Sequence, residues 1–184
     1  MDFLSTLKDE LIPDARRLVP DLPWTSESAV LLGAICLQES GGRNVVQAHG
    51  PAQGYPQFEA GGIGAVLSNS ATARRARRAI ERSGILGESE MSGEISGGPD
   101  GGYPAESLGR VVSVVRTKFL NFPALQISLA RLMLWANPNP LPALGDCNGA
   151  WKYYDSTWRP GKPRPTDWPA NYAASLHVLS GGTS

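Results

Sequence analysis

Thr25-Ser26-Glu27-Ser28-Ala29-Val30-Leu31-Leu32-Gly33-Ala34-Ile35-Cys36-Leu37-Gln38-Glu39-Ser40-Gly41-Gly42 is a helix with both of its ends written into the sequence. Thr25 or Ser26 can accept a hydrogen bond from a free first-turn amide, and Glu27 sits favourably at the positive end of the helix dipole. Gly41-Gly42 supplies the left-handed turn that ends a helix cheaply. Between them Ala29, Val30, Leu31, Leu32, Ile35 and Leu37 make the helix apolar on almost every side. Such a helix is buried, and it needs other helices around it.

The flanking sequence supplies them. Residues 2–19 carry an apolar stripe of Phe3, Leu4, Leu7, Leu11 and Leu18, which predicts a helix that Pro13 splits into two short pieces. Residues 43–64, rich in Gly and Pro, predict a long loop. Helix returns over 71–83, with five arginines from Arg74 to Arg82. Residues 84–102 hold many glycines, several acids and no Lys or Arg, and are expected to form a flexible insertion. Leu108, Val111, Val112, Val115 and Phe119 repeat at helical spacing within 106–120. Pro123 opens another helix, which Leu125, Leu129, Leu132 and Met133 continue to Trp135. A short helix over 148–157, an extended Pro-rich strap over 158–169 and a closing helix over 171–179 complete the chain. No internal repeat is visible. The expected architecture is mostly α, a single domain over 1–184 with the 84–102 insertion.

Composition narrows the functional classes. The 184 residues are 41% hydrophobic, enough for a sizeable core, and only 18% charged. Lys+Arg and Asp+Glu are both 17, so the formal net charge is zero and no nucleic-acid partner is expected. No run of 18 apolar residues exists, so no membrane span is expected. Met1 to Glu10 lacks a basic stretch followed by an apolar run, so no secretory signal is expected either. Two cysteines, Cys36 and Cys147, make neither a disulfide framework nor a zinc site, and reduced thiols are expected.

Glu39 is the first candidate for chemistry. It shares a face with Leu31 and Ile35 and lies at the negative end of the helix dipole. Desolvation and the dipole both disfavour its charged form, so its pKa is expected to rise. An acid still protonated near neutral pH is what donation to a glycosidic oxygen requires. The plainer alternative is a surface Glu ending a helix. Glu59 is either a second carboxylate for a hydrolytic pair or a rim residue. The five tryptophans can stack on sugar rings, although core packing accounts for most such residues. His49 and His177 are expected to be solvated, and the arginine-rich helix either meets an anionic partner or is a solvated face.

Glu39-Ser40-Gly41-Gly42, followed by Gly50-Pro51-Ala52-Gln53-Gly54-Tyr55-Pro56-Gln57-Phe58-Glu59, resembles the lytic transglycosylase branch of the lysozyme-like superfamily, in its bacteriophage form. Ala52, Gly54 and Gln57 match the family's Gly-Ala-x-Gly-Leu-Met-Gln loop, while Tyr55 and Pro56 replace Leu and Met. The stretch Gly145 to Pro163 and Asn171-Tyr172-Ala173 extend the likeness; the family's Ala-Tyr-Asn-Ala-Gly segment has no clear counterpart. The resemblance implies a lysozyme-like fold with little or no sheet. It implies cleavage of the β-1,4 bond between N-acetylmuramic acid and N-acetylglucosamine in peptidoglycan glycan strands, leaving 1,6-anhydro ends, with no metal or other cofactor. Glu39 would be the catalytic acid and base. Ser40 would orient it or bind substrate, Gln57 would bond an N-acetyl group, Tyr55 would contact substrate, and Tyr154 and Tyr172 would stand near the acid. A non-catalytic structural virion protein and a hydrolytic muramidase endolysin are the alternatives. Without an export signal, the enzyme would reach the wall either in the virion, docked on tail proteins, or from the host cytoplasm at lysis. The 84–102 segment, the arginine-rich helix and the 158–169 strap are the candidate docking elements.

Overall fold

A computed structural model describes residues 2–87 and 101–181. The architecture is mostly helical. It contains α1 (Phe3–Thr6), α2 (Ile12–Leu18), α3 (Ser26–Ser40), α4 (Ala60–Ser68), α5 (Ala73–Ser83), α6 (Ala105–Lys118), α7 (Pro123–Ala136), α8 (Cys147–Trp158) and α9 (Trp168–Leu179). The described residues contain no strand, only the isolated bridges Val46–Gln53 and Gln53–Phe58.

The central helix is α3. Thr25 caps it: its hydroxyl accepts from the Ser28 amide while the Ser28 hydroxyl accepts from the Thr25 amide. At the other end Gly41 and Gly42 take φ of 64° and 69°, and their amides donate back to Leu37 O and Cys36 O. One approach to α3 is very close. A Cβ on Gly33 would fall on Ser175 Oγ and lie 2.7 Å from Leu179 Cδ1, so α9 packs directly on the α3 backbone. Ser175 Oγ then donates to Val30 O at 2.6 Å.

Pro13 does not split the first helix as expected. Leu7–Leu11 form one widened π turn between α1 and α2, with the Ile12 amide donating to Leu7 O. The wider turn accommodates the ring and the missing N–H of Pro13 without a break. The loop after α3 is also shorter than expected, because α4 begins at Ala60. Gly61, Gly62 and Gly64 read as loop residues, yet burial of Ile63, Val66 and Leu67 selects the helix. Of the 84–102 insertion, residues 88–100 lie outside the described residues. Its described flanks are anchored, with Ile85, Leu86 and Tyr103 in the core and Gly102 against Ala73.

The helix over 105–118 forms as its spacing predicts, burying Val111 and Val115. A single 3-10 turn, Phe119–Asn121, leads into α7, with Pro123 at its start and nine residues buried. Gln126 on α7 ties three segments together. Its Nε2 donates to Asn44 Oδ1 and Phe119 O at 2.8 and 2.9 Å, and its Oε1 accepts from the Tyr55 amide at 2.9 Å. The loop over 43–59 is thereby fixed to the core. Both cysteines are free, Cys36 fully buried and Cys147 opening α8. Among the described residues, no helix is long and apolar enough to cross a membrane.

Candidate active site

Glu39 ends α3 on the floor of a cleft of about 720 Å³. One wall is the 43–59 loop with the start of α4, through Gln57, Phe58, Glu59 and Gly62. The other is the end of α8 with the Pro-rich strap, through Trp158, Arg159, Lys162 and Arg164. A second hollow of about 630 Å³ shares Gly62, Met133, Trp158 and Arg159 with it and runs on to Asn69, Asn137 and Asn139. Together they form one elongated groove.

The Glu39 carboxyl is half-buried, and burial pushes its pKa above the usual carboxylate range. Two neighbours act the other way. Tyr154 Oη donates to Glu39 Oε1 at 2.6 Å, and the Arg164 guanidinium is close enough to favour the anion. Tyr154 is itself held by stacking. Its ring lies 5.0 Å from that of Trp168 with 14° between planes, and Trp151 leans on both. One carboxyl oxygen is therefore fixed by a phenol on a rigid aromatic block, and Oε2 is left for a ligand.

Gln57 stands on the same cleft in a left-handed conformation, φ 50°, which is uncommon outside glycine. Its Nε2 donates to Val45 O and Gly54 O at 3.0 and 2.8 Å. Both bonds use the amide nitrogen, which leaves the carbonyl oxygen as an acceptor. Glu59, exposed at the start of α4, is a second carboxylate on the cleft. Trp158 is the one tryptophan of the five that lines it. Trp158 Nε1 donates to Pro56 O at 3.0 Å, and its ring packs 5.8 Å from that of Phe58.

Three expected site residues stand elsewhere. Ser40 is buried and turned back into its own helix, donating to Cys36 O and accepting from the Arg43 amide, so it neither orients Glu39 nor faces the cleft. Tyr55 packs its ring 4.9 Å from that of Phe3. Tyr172 stacks on Trp168, and its hydroxyl accepts from the Gly145 amide at 3.1 Å. It touches the block that holds Tyr154 rather than the acid. His49 and His177 are exposed and outside the cleft, as expected.

The strap, expected to be a docking element, carries residues that line the cleft. Gln38, buried on α3, donates to Arg164 O at 2.9 Å, Arg164 Nη2 returns a bond to Gln38 O, and Asn171 Nδ2 donates to Gln38 Oε1 at 2.9 Å. The strap is thus fastened beside Glu39, and Arg159, Lys162 and Arg164 face the cleft. In the sequence the Pro-rich run reads only as an extended strap and a candidate docking element. The pairing with Gln38 crosses more than a hundred residues and leaves no local pattern. Among the described residues no cluster of His, Cys, Asp and Glu suited to a metal ion occurs. Comparison with protein-family models, with curated proteins and with solved structures finds no match for this chain.

Proposed function

We propose that this protein is a lytic transglycosylase acting on peptidoglycan glycan strands, with a lysozyme-like fold of the bacteriophage type. The observation that carries the proposal is Glu39, a desolvated carboxyl on a cleft floor with one oxygen bonded to Tyr154. Glu39 Oε2–H gives its proton to the glycosidic oxygen as the bond to C1 of the muramic residue breaks. The resulting carboxylate then takes the proton of the muramic C6 hydroxyl, whose oxygen bonds to C1 and closes the 1,6-anhydro ring. The proton count returns to its start, and one residue serves as acid and then base. The Tyr154 phenol supports the anionic stage. Gln57 offers its carbonyl oxygen to an N-acetyl N–H. The three cations of the strap suit a polymer whose stem peptides end in carboxylates.

Glu59 on the same cleft favours one second reading, hydrolysis by an activated water. We place the enzyme in the virion, delivered with tail proteins. Mass spectrometry of purified particles tests that location, and its absence from particles but presence in lysate makes it an endolysin. The activity is tested by a murein zymogram of wild type and Glu39→Gln. Clearing by wild type and a loss of about 10²-fold or more in the variant is expected. A folded wild type without activity returns the protein to the structural virion class.

A further inference from the structure

We propose that a hollow between α4 and α6, separate from the Glu39 groove, binds a short peptide ending in a free carboxylate after a small side chain. The hollow holds about 410 Å³ and shares no lining residue with the groove. Of its polar groups, the Thr117 hydroxyl already donates to Ser113 O at 2.9 Å, whereas Arg116 and Gln53 keep donors to offer. Arg116 lines it, the guanidinium Nε is buried without a hydrogen-bond partner, and the side chain pairs with no described residue. A buried Nε–H left without an acceptor is costly, and an anion seated against Arg116 would supply one. Gln53 supplies a second polar side chain to the wall. It is 8% exposed, and its backbone bonds Phe58 in both directions, yet its side-chain amide meets no described partner and lines the same hollow.

The rest of the wall selects the ligand. Ser113 and Thr117 flank Arg116 on one face of α6, and Ala60 opens α4, whose Glu59 gives its first-turn amides no side-chain cap. Positive helix end and guanidinium fork both suit a carboxylate. The Gln53 amide offers a donor and an acceptor, which is what a peptide unit needs. Val112, Ala60 and Gly109 make the remaining wall apolar, and Gly109 faces open space with room for a methyl group. An inorganic anion would use Arg116 and the helix end but would leave Gln53 and the apolar wall unmatched. The proposal does not depend on glycosidic cleavage. A wall stem peptide ends this way with D-alanine, and a protein C-terminus does so with L-residues.

The test is an amide-resolved NMR titration of the full chain with N-acetyl-D-alanyl-D-alanine, N-acetyl-L-alanyl-L-alanine, both C-terminal amides, and inorganic phosphate. Saturable shifts at Ala60, Gly109 and the Gln53 side chain are expected with at least one of the two acids. The amidated peptides should bind about tenfold more weakly or worse, the scale of one charge-assisted bond. Arg116→Gln should lose a similar factor. Should that variant fold poorly, Gln53→Ala and the wild-type amides carry the same comparison. Preference for the D acid names the wall as source, and preference for the L acid names a protein terminus. No shift with either acid up to about 10 mM, beyond the weak end of ordinary affinities, overturns the site. Equal binding of acid and amide, or of phosphate and acid, overturns it as well. None of these readouts needs cleavage, so their failure leaves the Glu39 proposal standing.

Discussion

Glu39 is a carboxyl whose surroundings disagree about its charge. Burial is the largest influence and favours the protonated form, while Tyr154 and Arg164 favour the anion. The sign for stability follows. A free Glu titrates at about 4.3, and the folded value is higher. The stability linked to protonated Glu39 is therefore complete below about 4.3 and is lost as the pH rises through the folded value. Glu39→Gln removes that loss, and its amide oxygen can still accept from Tyr154. The variant should be more stable than wild type at pH 7, with the gap closing near pH 4. Urea midpoints at the two pH values check this, and an equal gap at both would refute the desolvation argument. Tyr154→Phe removes a donor that favours the anion, so the Glu39 pKa should rise further. If Glu39 is the acid, the alkaline limb of the pH–rate profile should then move to higher pH, read from dye release from labelled murein.

The helices show which features are written locally. The α3 caps and burial were legible because Thr25, Gly41 and Gly42 are local signals and the apolar residues repeat. Glu39 was legible as a candidate from its place at the end of an apolar helix, whereas Gln57 was named only through the family resemblance; both line the cleft. Pro13 and the glycines of α4 misled, because a widened turn and core burial override residue preference. Tyr172 and the strap were misplaced because their partners (Gly145 and Gln38) follow from packing rather than spacing, whereas the Ser40 hydroxyl simply turns back one helical turn to Cys36 O. Glycine itself separates local from tertiary control. Alanine is favoured over glycine inside a helix by up to about 1 kcal/mol. At Gly109 on α6 nothing stands within 4 Å of an added Cβ, so Gly109→Ala should stabilise by that order. At Gly33 the added methyl meets Ser175 and Leu179 on α9, and overpacking costs about 1–3 kcal/mol. Gly33→Ala should therefore destabilise despite the better helix propensity. Denaturant unfolding of both variants should give opposite signs; the same sign would mean that α9 does not hold α3 as closely as described.

At the scale of the molecule, α3 carries Glu39, the 43–59 loop that follows it is fixed by Gln126, and the strap, more than a hundred residues beyond α3, is fastened by Gln38, so the three enclose one groove. That enclosure bears on the products. On the proposed function, a glycan bound along the groove would present its own C6 hydroxyl beside C1, and a tethered nucleophile has a high effective concentration compared with water. Glu59 is exposed on the rim, whereas Glu39 lies half-buried on the floor. Cleavage should therefore release muramic ends lighter by one water than hydrolysis gives, as read by mass spectrometry of digested murein. Glu59→Gln should keep that product and lose far less rate than Glu39→Gln. Reducing muramic ends as the main product, together with inactivity of Glu59→Gln, would make Glu59 the base that activates water and turn the same groove into that of a hydrolase.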